Sequence, residues 1–153
     1  MAMSKEELLI KELSEVTGTD VALDASGICE LVADGNLLVM RYREASEDWL
    51  CFGVVLDGGD EDLPRGTLAK ALELGLFGAE TGGFHIGLHG NALVLSDAVP
   101  SFDLTAETFA DRLLALSRKI TEMSEQLESG GHSEPRPENE TVLAALDERF
   151  IQV

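Results

Sequence analysis

The sequence predicts an α+β domain, one antiparallel sheet packed by helices, in the order α-β-β-β-α-β-β-α. Apolar residues recur at helical spacing near both ends, most clearly Phe109, Leu113, Leu116, Ile120, Met123 and Leu127. Between those ends lie short alternating or continuous apolar runs of strand length. Asp34-Gly35 and Gly90-Asn91 separate consecutive runs by two turn-forming residues, which joins neighbouring strands antiparallel.

The first helix starts at Ser4, which with Glu7 forms a capping-box pattern. Leu9, Leu13 and Val16 share one face, and Gly18 closes the helix. Three strands follow, over 27–33, 36–43 and 49–56, forming a meander. Pro64 sits where a short helix begins, carrying Leu68 and Leu72 to about Leu74 and closing near Gly75 or Gly78. A second hairpin places Phe84, Ile86 and Leu88 before the Gly90-Asn91 turn and returns through 92–96. Thr105 caps the long final helix, whose six or so turns span about 33 Å at roughly 1.5 Å per residue. Residues 1–128 form the domain. Residues 129–153 read as a Gly/Ser/Pro-rich linker and a tail in which Val142, Leu143, Leu146 and Phe150 make a short apolar stripe. If that stripe is a helix, it can act as an internal placeholder in a binding groove.

Composition narrows the function. The chain has 153 residues, 11 basic against 29 acidic, for a net charge of −18. Such a surface repels phosphate backbones and anionic lipid, which argues against nucleic-acid and membrane binding. A hydrophobic fraction of 44% excludes a disordered acidic chain. No apolar run reaches the ~18 residues that span a bilayer, and the start lacks signal-peptide character, so a soluble cytoplasmic protein is expected. Cys29 and Cys51 lie in apolar runs and read as reduced, buried thiols.

No residue constellation points to catalysis, a cofactor or a metal. His85 and His89 have zinc-helix spacing, but glycines place them on a strand, where four residues span about 13 Å, too far for one ion. Asp57, Asp60, Glu61 and Asp62 read as a solvated turn, because the sixth position lacks a calcium loop's glycine. There is no nucleophile elbow, and Gly83, Gly87 and Gly90 match neither a dinucleotide nor a P-loop spacing.

The strands carry more apolar surface than a sheet with one wet face needs. On the third, Leu50, Phe52, Val54 and Leu56 oppose Trp49, Cys51 and Val55; on the second, Leu38, Met40 and Tyr42 oppose Leu37 and Val39. Either helices cover both faces, or a partner chain covers part of the second. The long helix has fewer than three heptads and reads as a core helix across the sheet rather than a coiled coil.

The element order, size and acidity, with Leu74-Gly-Leu-Phe77, Gly82-Gly-Phe-His-Ile-Gly-Leu88, Ala92-Leu-Val-Leu95 and Pro100, resemble the class I type III secretion chaperones of the Tir chaperone (CesT-like) family over about residues 4–127. The resemblance implies a non-enzymatic homodimer, without cofactor, in the bacterial cytoplasm. Its partner is the N-terminal segment of a secreted effector, held largely extended. It also implies a dimer interface at Leu68, Leu72 and Leu76, and client contacts on the sheet and first helix, assigned by alternation to Leu9, Leu37, Val39, Trp49 and Val55. Two other readings stay open: an adaptor of the same fold that regulates a non-secreted partner, and a small enzyme whose site is assembled in space.

Overall fold

The computed structural model describes residues 4–78 and 80–130. The apolar stripe from Val142 to Phe150 lies outside the described residues. The elements are α1 (Lys5–Thr17), β1 (Ile28–Ala33), β2 (Asn36–Arg43), β3 (Asp48–Asp57), α2 (Arg65–Gly75), β4 (His85–His89), β5 (Ala92–Pro100) and α3 (Ala106–Gly130), with a 3-10 turn over Leu76–Gly78. This is the predicted order. Helix α3 runs through Ser129 and Gly130, two residues past the expected start of the linker.

Local chemistry sets the boundaries. The Ser4 side chain accepts the Glu7 N–H at 3.1 Å, and Gly18 at φ 70° donates to the Ser14 carbonyl. Asp34 and Gly35, both at positive φ, make the tight β1–β2 turn, so Ala33 faces Asn36 and Val32 faces Leu37. At the start of α3, Thr105 and Thr108 exchange reciprocal bonds, each hydroxyl accepting the other's backbone N–H.

The sheet is fully antiparallel, in the order β1-β2-β3-β5-β4, so the second hairpin docks through β5 onto β3 and leaves β1 and β4 as the edges. Strand β5 extends to Pro100, beyond the expected 92–96, because it pairs with β3 as far as Asp48. The polar Asp97 that interrupts the apolar pattern there is answered from α3, where Arg112 grips its carboxylate at 2.7–3.0 Å.

The helices and the buried core lie on one side of this sheet. All six apolar residues of α3 named from its periodicity are buried, against Cys29, Leu31, Leu38, Met40, Trp49, Cys51, Leu93, Leu95 and Val99. Helix α3 is therefore a core helix. It comes close because Gly53 has no side chain: a Cβ there would lie 2.6 Å from Ile120 Cδ1. In α1 the buried pair is Ile10 and Leu13, with Leu9 half-buried and Val16 exposed, a rotation of the expected face. In α2 Ala71 and Leu74 pack inward with Thr67, so Leu72 points to solvent.

Candidate functional site

The opposite side of the sheet is bare. Every residue that a helix would have to cover there is exposed or half-buried, so the alternative in which helices cover both faces is overturned. Register builds this surface in cross-strand rows. One row runs Glu30, Val39, Phe52, Ser96, His85; beside it, Val32 pairs with Leu37, and Val54 with Val94 and Gly87. A third row holds Ile28, Arg41, Leu50 and Ala98. Val32, Leu37 and Val54 are 59%, 53% and 48% exposed, a cost in apolar hydration that the monomer leaves standing.

The same register corrects two of the expected contacts. Val39 pairs with Phe52, and Met40 with Cys51, so Leu37 and Val39 share their side with Leu50, Phe52 and Val54. Trp49 and Val55 belong to the other side, buried under the helices at 1% and 5% exposure. Alternation within a strand sorts its residues into two sets but does not match the sets between strands; only the pairing does. Leu56 is a related case: a bulge between Val54 and Leu56 turns it from the bare face to pack against the core.

Leu9 is likewise not brought to the bare face. It lines a small cleft on the helix side, a cavity of about 130 Å³ bordered by Leu8, Glu12, Tyr42, Trp49 and Leu104. The Trp49 ring that floors it lies 5.4 Å from Tyr42 and 5.5 Å from Phe109, both tilted. Of the five expected client residues, the structure thus unites only Leu37 and Val39 on one open surface.

A second apolar region forms around α2 and β4. Leu68 and Leu76 are half-buried and Leu72 is 71% exposed, Phe77 is exposed on the 3-10 turn, and Leu88 is exposed on β4. Residues 65–89 carry Arg65 and Lys70 against Glu73 and Glu80, a net charge of zero within a chain of −18.

The chemistry-bearing side chains are dispersed. Among the described residues no three His, Cys, Asp or Glu side chains gather as a metal ion would need. His85 and His89 lie on the edge strand, as their glycine neighbours predict. Asp57 accepts the Gly59 N–H at 2.9 Å, which makes the acidic run a hydrogen-bonded turn. Cys29 and Cys51 are buried and free, and burial is the main cause that pushes the Cys29 thiol up to about 12 and Cys51 higher still. Both thiols stay protonated and are poor nucleophiles.

Sequence reasoning set Leu50, Phe52 and Val54 on one face of the third strand but chose the opposite face for the client, and it missed Val32 and Val94 as their neighbours. The signal was present for Val32: a two-residue Asp-Gly turn forces Val32 opposite Leu37. It was absent for Val94, whose place depends on β5 inserting between β3 and β4.

The family model of the Tir chaperone protein (CesT) family matches residues 8–123. The fold is similar to a chain of the ExsC–ExsE complex, at 20% identity and a TM-score of 0.68 over 80% of this chain and 93% of that one. It is also similar to a chain in the complex of the Yersinia pestis type III secretion chaperone SycH with a fragment of YscM2, at 16% identity and TM-score 0.58, covering 78% and 99%. A chain of the heterodimeric ExoU–SpcU complex from the type III secretion system of Pseudomonas aeruginosa matches at 20% identity and TM-score 0.54, over 78% and 93%. No curated protein matches the chain.

Proposed function

The chain belongs to the Tir chaperone protein (CesT) family, and from that premise we propose a non-enzymatic, homodimeric export chaperone of the bacterial cytoplasm. Its client is the N-terminal segment of a type III secreted effector, held extended and kept export-competent. The observation that carries this reading is the bare apolar face around Val32, Leu37, Val39, Phe52 and Val54. Among the described residues no helix is long and apolar enough to cross a membrane.

Magnitudes say how such a face binds. Covering three half-exposed aliphatic side chains yields about 2–5 kcal/mol gross. Ordering an extended client costs about as much, some 2–5 kcal/mol. Side-chain contacts on one copy therefore hold nothing alone. The remainder comes from backbone pairing with a free edge strand, β1 or β4, and from a second copy offering the same face. Two copies make the second contact intramolecular, which supports the homodimer on energetic grounds.

The neutral segment 65–89 supports self-association through α2, with Leu72 as its exposed residue and Leu68 and Leu76 flanking it. A twofold contact sets a patch against itself, and a segment without net charge does so without opposing like charges.

Capture from the native cell tests the reading. The chaperone account expects a co-purifying secreted protein whose capture disappears when its N-terminal segment is removed. A partner bound through a folded domain, indifferent to that deletion, would replace it with the adaptor reading.

A further inference from the structure

Helix α3 crosses the hairpin end of the sheet before it reaches the C-terminal segment. The Asn36 side-chain amide donates to the Ser117 carbonyl at 3.0 Å and to the Thr121 hydroxyl at 2.9 Å, and the Ser117 hydroxyl donates to the Ala33 carbonyl. Next to Asn36 and Ala33 come Leu37 and Val32, the facing pair at this end of the bare face. The helix then runs on to Gly130. Beyond it, outside the described residues, the sequence sets Val142, Leu143, Leu146 and Phe150 on one side of a helical pattern, at spacings of 1, 3 and 4. This segment lies past residue 123, where the family match ends, so family membership assigns it no role.

We propose that the segment 142–150 docks on the bare face of its own chain, over Val32, Leu37 and Val54, and gives way to the client. The proposal rests on the client reading above and adds a regulator to the same surface. Reach permits it. The twelve residues from Gly130 to Val142 extend to about 40 Å. Returning from Gly130 to the level of Thr121 takes about 14 Å at roughly 1.5 Å per residue. Passing the end of the β1–β2 hairpin to the far side takes two layer spacings, on the order of 20 Å. Pro135 and Pro137 favour extended backbone at the residues before them, which suits a linker used near its full reach.

Charge permits it too. Residues 131–153 hold five acidic and two basic side chains, whereas residues 28–43 set Glu30 and Asp34 against Arg41 and Arg43. An acidic segment meets no net repulsion there. Residues 65–89 are equally balanced, so charge does not choose between the two surfaces and the position of Leu72 serves as the control. Tethering makes a weak contact count. A segment on such a linker meets its site at an effective concentration on the order of millimolar, enough to populate a contact that free peptide would not hold. A client that adds backbone pairing to its side-chain contacts displaces it.

Disulfide trapping on the full chain tests the docking without a client, since the native Cys29 and Cys51 are buried. Leu146→Cys is combined with Leu37→Cys or with Leu72→Cys, both at exposed positions, and oxidised by glutathione disulfide at sub-micromolar protein. The Leu37→Cys pair should close within one chain at least about 10-fold faster than the Leu72→Cys pair. Equal rates, a faster Leu72→Cys pair, or a bond formed only between chains would overturn the docking. A second arm uses the Leu143→Asp, Leu146→Asp variant and the N-terminal fragment of the native-cell partner. Its affinity should rise about 3–10-fold as the face is vacated. Docking with unchanged affinity would overturn the displacement and put the client elsewhere, a failure of the client reading rather than of the docking.

Discussion

Gly53 and Ile120 meet across the centre of the molecule: a Cβ on Gly53 would stand 2.6 Å from Ile120 Cδ1 and 3.0 Å from Leu38 Cδ2. This contact sets how closely α3 lies on the sheet. Gly53→Ala should destabilise the fold by about 1–3 kcal/mol in urea unfolding. Adding Ile120→Val, which deletes the offending methyl, should recover part of that loss rather than add to it.

Asp97 and Arg112 fasten the N-terminal half of α3 through a two-oxygen ion pair, with side-chain exposures of 10% and 48%. The asymmetry orders the two truncations. Asp97→Ala leaves an arginine that turns to water, whereas Arg112→Ala strands a buried carboxylate. Arg112→Ala should be the more destabilising by about 1 kcal/mol or more, measured by the same unfolding titration.

Trp49 is a core residue, and its replacement should behave as one. Trp49→Ala should cost about 3–5 kcal/mol of stability. Leu37→Asp should leave the unfolding midpoint close to wild type. Equal destabilisation by both would contradict the assignment of these residues to opposite sides of the sheet.

The two buried thiols give a pH dependence of definite sign. Their folded values are raised by burial, so above the ordinary thiol range the unfolded chain releases protons that the folded chain retains. Stability contributed by the thiols is complete below about pH 8.5 and falls as the pH climbs toward 12, by up to about 1.4 kcal/mol per pH unit for each cysteine. The Cys29→Ala, Cys51→Ala double variant should flatten that alkaline slope. A thiol reagent at neutral pH should modify neither cysteine until the protein unfolds.

Much of the fold could be read from the residues. The α3 stripe, the Ser4 and Gly18 caps and the Asp34-Gly35 turn each act within a few positions, and all three stand as expected. The bare face was harder, because it depends on which strand lies beside which. Alternation puts Leu37 and Val39 on one side of β2, but telling whether Trp49 and Val55 share that side takes a register that no local signal supplies. The insertion of β5 beside β3 and the bulge at Leu56 are both tertiary outcomes. Leu72 was named only through the family resemblance, and its place on the solvent side of α2 is a finding of the structure.

The central claim is that the bare face of the sheet holds the client. It is tested most directly by calorimetric titration of the N-terminal fragment of the native-cell partner into wild type and into a Leu37→Asp, Val54→Asp variant. The account predicts an affinity reduced about 100-fold or more, with the fold and the dimer intact, since two charges would then lie in a desolvated apolar contact. Undiminished affinity in that variant would contradict it.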